Sequence, residues 1–162
     1  MASYLPNLSK DNLSLYTIPI CWIICIIPRF YASAEYKKAT NKDFDARAPR
    51  DFARTVADDQ GLDSATKGRI IRAEAAQFNG FENMGLFASA VVAGNMARLN
   101  PSTLNGLSMG YVAIRFIYNH LYIFGSTKGL AQMRTVTFLS GVALLMALFV
   151  QAGRNLNSSI LS

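Results

Sequence analysis

Four segments of the 162-residue chain are apolar over about 20 residues each, the length that an α-helix needs to cross a bilayer. They cover about residues 13–33, 70–97, 102–124 and 130–152. Lipid offers no water to backbone polar groups, so segments of this kind fold as helices. The sequence therefore predicts an all-α integral membrane protein, a four-helix bundle that forms a single domain over residues 1–162.

The composition supports a membrane location. Hydrophobic residues make up 51% of the chain and charged residues 16%, whereas soluble domains are about a quarter charged. The net charge is +6, but the basic residues lie between the apolar segments instead of lining one helix or strand. Topology and anionic lipid explain this charge better than nucleic acid does. We expect membrane lipid as a partner, and no nucleic acid.

The one long polar stretch, about residues 35–69, separates the first two apolar segments and holds eight Lys and Arg residues. The opposite side of a four-span protein carries only Lys10, Arg98 and Arg154. The positive-inside rule places the polar stretch in the cytosol. Both termini then face the lumen, and we expect the membrane to be the endoplasmic reticulum. The first apolar segment lacks a clear cleavage site, so we expect it to remain as an anchor.

Local signals indicate where two helices begin. Asp63 or Ser64 is positioned to cap the second helix, and Asn100-Pro101-Ser102 forms a tight connection that suits an antiparallel hairpin of the second and third helices.

Motifs for several chemistries are absent. The sequence has no GxSxG, P-loop, HExxH or paired Cys-His zinc spacing, so hydrolase, nucleotide-driven and zinc chemistries are unsupported. Cys21 and Cys25 are four residues apart, but no His or acid lies near them in sequence. We interpret them as small apolar membrane residues and predict no metal site.

The second apolar segment carries four polar side chains: Arg72, Gln77, Asn79 and Glu82. Ionisable groups at membrane depth cost several kcal/mol unless paired, which makes them functional-site candidates. Arg72 and Asn79 are seven residues apart and share a helix face, and Glu82 follows one turn later. Two compatible interpretations stay open. Glu82 neutralises an arginine in a structural network, or it holds the ammonium end of a ligand.

The third segment places Arg115, Tyr118 and Tyr122 on one face, and Arg134 lies near the start of the fourth. Interfacial anchoring is the alternative role for the two tyrosines, and snorkelling to the membrane surface is the alternative for Arg134. Arg115 lies near the middle of its segment, which argues against an anchoring role. His120 lies off this face and is interpreted as structural.

Three runs of residues resemble the MAPEG superfamily, the membrane-associated proteins in eicosanoid and glutathione metabolism. Residues 72–83, Arg-Ala-Glu-Ala-Ala-Gln-Phe-Asn-Gly-Phe-Glu-Asn, resemble its second-helix signature. The Arg-x-x-Tyr-x-x-x-Tyr run of the third segment resembles its third-helix signature, and residues 133–137 resemble the start of its fourth helix. The resemblance extends over about residues 45–137.

The resemblance implies a homotrimer that binds glutathione between neighbouring subunits and acts on a lipophilic substrate. It implies a glutathione-dependent transferase or isomerase in which Arg134 stabilises the thiolate. By position, Arg134 and Tyr122 are the implied catalytic residues. The implied cofactor-binding residues are Arg72, Gln77, Asn79, Glu82, Arg115 and Tyr118.

Departures from the family pattern keep two other functions open. Ala75 stands where the eicosanoid synthases usually have a second arginine, which helps to hold a glutathione carboxylate. Gly85 replaces a common proline, Phe138 replaces a tyrosine of some members, and the stretch between Tyr122 and Arg134 is a few residues longer. The pattern resembles the divergent fungal and bacterial branch. The alternatives are a glutathione-independent cyclase or isomerase of secondary metabolism, and a non-catalytic membrane regulator.

The predicted orientation can be tested by cysteine labelling in sealed microsomes. In a chain with Cys21 and Cys25 replaced by alanine, a cysteine at Arg54 should react with an impermeant maleimide from the cytosolic side only. A cysteine at Arg154 serves as the matched control and should react only after the vesicles are opened. The reverse pattern would contradict the orientation.

Overall fold

A computed structural model describes residues 6–160 of the chain, with side chains to residue 158, and this part contains helices and no strand. A short helix, α2 (Phe52–Asp58), lies within the long polar stretch. The other four helices form the bundle, and their bounds are α1 Thr17–Thr40, α3 Ser64–Met96, α4 Pro101–Phe124 and α5 Lys128–Ile160. In the bundle, α1 packs on α3 and α4, and α5 packs on α4 and α3. The all-α helical bundle predicted from the sequence is confirmed.

In the described part of the chain, two helices are long and apolar enough to cross a membrane by length and composition. They are Ser14–Thr40, which adds a 3₁₀ turn to α1, and Lys128–Ser158 of α5, with mean hydropathies of 1.6 and 1.9. The helices α3 and α4 do not reach this combination of length and hydropathy. Membrane spanning by α3 and α4 therefore stays a prediction.

Capping residues determine where two of the helices begin. The Asp63 carboxylate accepts hydrogen bonds from the backbone N–H groups of Ala65 and Thr66, both at 3.0 Å, so α3 begins before its apolar segment does. Asn100 accepts from the N–H of Thr103 at 2.8 Å, with Pro101 at the first helical position. The predicted cap and the predicted tight connection between α3 and α4 are both confirmed.

Helix packing in the bundle centre is close where α1 meets α3. Cys21 and Cys25 are buried free thiols in a core with Phe87 and Tyr111. A Cβ atom on Gly80 would lie 2.9 Å from the Cys25 sulfur, so only glycine permits this approach. The two cysteines therefore act as small core residues.

An ion pair between α1 and α3 holds the long polar stretch against the bundle. Arg29 pairs with Glu74, which is only 3% exposed, and also donates to the carbonyl of Pro49 at 3.3 Å. Its guanidinium carbon lies 4.0 Å and 4.8 Å from the ring centroids of Phe44 and Phe52. The buried carboxylate that neutralises an arginine is therefore Glu74, which was not predicted.

Asp59 fixes the other end of the polar stretch. It accepts hydrogen bonds from the Gly61 N–H at 2.9 Å, the Lys42 ammonium at 3.0 Å and the Tyr36 hydroxyl at 2.9 Å. These donors, the Gly61 N–H most of all, lower the pKa of Asp59 to about 2. The carboxylate is thus ionised at neutral pH and links α2 to the end of α1.

A proline inside α1 is compensated by a side chain from α4. Pro28 is buried in the helix and has no N–H, so the carbonyl of Ile24 loses its usual partner four residues on. The Asn119 amide donates to that carbonyl at 2.9 Å. Asn119 is therefore a structural residue that satisfies a backbone group of a neighbouring helix.

We expect Asn119→Ala to lower the free energy of unfolding by about 1–3 kcal/mol, the cost of leaving a buried polar group unpaired. In a Pro28→Ala background the alanine N–H bonds to the Ile24 carbonyl, so the same substitution should cost less. Unfolding by denaturant in mild detergent measures both. An equal loss in the two backgrounds would contradict this role of Asn119.

Candidate functional site

An open cavity of about 150 Å³ lies where α3, α4 and α5 meet. Each helix contributes at least one residue that the sequence analysis singled out. The cavity is lined by Asn79, Tyr118, Arg134, Thr135 and Phe138.

Arg134 supplies the positive charge of the cavity. Its guanidinium carbon lies 4.1 Å from the centroid of the Tyr122 ring, a cation–π contact that orients the side chain. Among the described residues it has no ion pair and donates no hydrogen bond to the protein. Its donor groups are therefore free to bind an anion in the open cavity.

Two tyrosines connect this arginine to a second one. The rings of Tyr118 and Tyr122 meet edge to face with centroids 5.4 Å apart, and the Arg115 guanidinium carbon lies 4.6 Å from the Tyr118 ring. The contacts thus join four side chains into one continuous stack, which we call the Arg-Tyr stack: Arg115, Tyr118, Tyr122 and Arg134. The shared face predicted for α4 is present, and it faces α5.

Arg115 lies at the closed end of the Arg-Tyr stack. It is 3% exposed, and its Nε and Nη2 atoms are buried with no acceptor among the described residues. It borders a narrow cleft between α3, α4 and α5. The other residues lining this cleft are Asn83, Tyr111, Ile114, Tyr118, Thr137, Phe138, Gly141 and Val142.

The amide of Asn79 is fixed within α3. Its nitrogen donates to the carbonyl of Ala75 at 2.9 Å, and Asn83 donates in the same way to the carbonyl of Asn79. One N–H of the Asn79 amide is used inside the helix, so its other N–H and its oxygen are left for a ligand.

Five of the eight predicted residues do not line the cavity: Tyr122 and Arg115, which belong to the Arg-Tyr stack, and Arg72, Gln77 and Glu82. The Nε of Arg72 donates to the carbonyl of Ile123 at 3.0 Å and so binds the end of α4. Gln77 is half-buried, and Glu82 is exposed with no ion pair among the described residues. Arg72 and Asn79 share a face, but seven residues of helix separate them by about 10 Å along the axis. Their roles in binding stay predictions.

Some residues around the site were not singled out. Tyr111 is four residues before Arg115, so the helical spacing could have revealed it. Gly141 borders the cleft without any signal in the sequence. Arg29 and Glu74 pair across two helices although they are 45 residues apart in the sequence, and no local pattern predicts such a contact.

The chemistry of the site follows from its donors. The cavity offers a guanidinium without an anionic partner, an amide and hydroxyl groups. This set stabilises an anion, and a negatively charged sulfur or oxygen would suit it. Within residues 6–158, no group of three or more His, Cys, Asp and Glu side chains could hold a metal ion.

A comparison with protein families identifies a match over most of the chain. The model of the MAPEG family matches residues 14–154, a range that includes most of the bundle and every residue of the cavity. No curated protein and no solved structure matches the chain.

Proposed function

The chain belongs to the MAPEG family, and from this membership and the geometry of the site we propose that it is a membrane-embedded glutathione-dependent transferase or isomerase. Its substrate would be a lipophilic electrophile taken from the bilayer. One observation carries the proposal. Arg134 is held on the Tyr122 ring at the edge of an open cavity with no anionic partner in the described part of the chain.

Arg134 would act by electrostatics. Glutathione supplies a sulfur nucleophile when it is bound, and the thiolate is the reactive form. A guanidinium beside the sulfur favours thiolate over thiol and lowers the thiol pKa. Apolar helices surround the site, so the attraction is stronger there than in water. Tyr122 keeps the guanidinium in place, and the Thr135 side chain lies beside it in the cavity wall.

The size of the cavity supports a multi-subunit site. About 150 Å³ accommodates the thiol end of a tripeptide and not the whole molecule. The remainder would extend toward the exposed Glu82, whose carboxylate lipid cannot satisfy. A neighbouring subunit would cover this face, and we propose the homotrimer that the family resemblance implies. The membrane would be that of the endoplasmic reticulum, with lumenal termini.

A second candidate function follows from what α3 lacks. Ala75 provides no second guanidinium, Arg72 is bonded to the end of α4, and Phe78, beside Asn79, is an exposed apolar side chain. No cation of α3 is therefore placed in the cavity to hold a glutathione carboxylate. This favours a glutathione-independent cyclase or isomerase that uses the Arg-Tyr stack, and it is also compatible with a non-catalytic module.

We expect Arg134→Ala to lower glutathione-conjugating turnover about 100-fold or more, the scale of removing one preorganised charge-stabilising group. Arg134→Lys should recover part of the loss, because a point charge remains without the planar fork. Lys128→Ala, which removes an exposed charge from the start of the same helix, is the matched control and should keep wild-type turnover. Steady-state kinetics with a generic electrophile measures all three.

Two outcomes would decide against parts of this proposal. Wild-type turnover in Arg134→Ala would exclude the thiolate role of this residue. A wild-type protein that neither binds glutathione nor conjugates an electrophile would remove the first function and leave the glutathione-independent candidate.

Glu82→Gln should change mainly glutathione affinity, since the proposed partner of the Glu82 carboxylate is an ammonium group or a neighbouring arginine.

A further inference from the structure

Arg115 is a buried cation whose hydrogen-bonding requirement is not met in the described part of the chain. Nearly all of the residue is buried, and two of its three side-chain nitrogens, Nε and Nη2, have no acceptor. The contact with the Tyr118 ring offsets only part of the loss of hydration. An arginine in this state at membrane depth indicates a functional partner that is not part of the single chain.

The carboxylates on the same part of α3 do not neutralise it. Glu74 is paired with Arg29, and Glu82 is exposed to solvent or lipid. Water does not take the place of a carboxylate either, because the cleft beside Arg115 has no room for a water molecule.

The two free nitrogens lie on the same edge of the guanidinium. This chain shows what that edge binds, since Arg47 uses its own Nε and Nη2 to hold the two oxygens of Asp45 at 3.0 and 3.1 Å. A fork of two parallel N–H groups matches the two oxygens of a carboxylate. The free edge of Arg115 therefore has the donor geometry that a carboxylate needs, and a carboxylate can reach it only when space opens beside it.

Two aromatic rings separate this edge from the open cavity. Tyr118 and Phe138 line both the cavity that contains Arg134 and the cleft that contains Arg115. Their ring centroids are 6.1 Å apart. Because the two rings border both spaces, their displacement would join the cleft to the cavity.

We propose that Arg115 binds a carboxylate of the ligand when the Tyr118 and Phe138 rings separate. The proposal rests on the proposed function, because it adds a second anion site to the cavity in which Arg134 holds the thiolate. It also supplies the cation that α3 lacks at Ala75. The carboxylate has two possible sources, glutathione itself or an acidic lipophilic co-substrate.

Binding measurements on the full-length protein in detergent distinguish the sources. One probe pair is glutathione and its diethyl ester, and the other is a long-chain fatty acid and the alcohol of the same chain length. We expect the wild type to bind the acid of one pair about 10-fold more tightly or better, the scale of a charge-assisted hydrogen bond. Arg115→Met should lose this preference, and Arg154→Met, which removes an exposed arginine of α5, should keep it.

Thermal stability separates ligand binding from a structural role. A buried unpaired charge replaced by an apolar side chain of similar length leaves stability equal or higher, so Arg115→Met should melt at or above the wild-type temperature. If Arg115→Met does not fold, Arg115→Lys answers the same question, because it keeps the charge and lacks the two-nitrogen edge. It should then show a reduced preference for the acid.

The outcomes are distinct. An Arg115-dependent preference within the glutathione pair identifies the tripeptide carboxylate, and one within the lipid pair identifies the co-substrate. No such preference in either pair overturns the proposal. The proposal is also overturned if Arg115→Met and Glu82→Gln lower the melting temperature by the same amount and the double variant lowers it no further. The carboxylate that pairs with Arg115 is then Glu82 of a second copy. If glutathione does not bind but the protein still binds the fatty acid more tightly than the alcohol, the proposed glutathione-dependent function is rejected and the carboxylate site at Arg115 is not.

Discussion

A positive charge inside an apolar helix bundle must be paired, hydrogen-bonded or stacked, and this constraint governs how the helices of the protein meet. Arg29 satisfies it with Glu74 and two aromatic rings, and so holds the long polar stretch on α1 and α3. Arg72 satisfies it at the carbonyl of Ile123 and joins α3 to α4. Arg115 and Arg134 satisfy it only in part, through tyrosine rings.

The two partly satisfied arginines are the ones that line the narrow cleft and the open cavity. The stability of the bundle comes from the apolar core and the complete pairs, so the incomplete ones need not contribute to it. A site of this kind carries a ready attraction for anions, because the cations are fixed by their rings before a ligand arrives. The Arg-Tyr stack thus links a guanidinium in an open cavity to one in a closed cleft.

Periodicity and capping chemistry allowed most of the fold to be predicted from the sequence. Apolar length indicated four long helices, and Asp63 and Asn100 marked the starts of two of them. Helical spacing also placed Arg115, Tyr118 and Tyr122 on one face. Contacts between distant helices could not be predicted, because the Arg29–Glu74 pair and the Asn119 bond to Ile24 have no local signature. The hydrogen bond from Arg72 to the end of α4 also joins distant parts of the chain, so it could not be predicted from the place of Arg72 in α3.

The proposed stabilisation of a thiolate by Arg134 can be tested by ultraviolet absorbance without any substrate. A free thiol of this type has a pKa of about 8.5, so it is mostly protonated at pH 7. Glutathione added at pH 7 to the wild type should produce the thiolate absorption band in amounts stoichiometric with bound ligand, and Arg134→Ala should not produce it. Absence of this band from wild-type protein saturated with glutathione would show that Arg134 does not stabilise the thiolate.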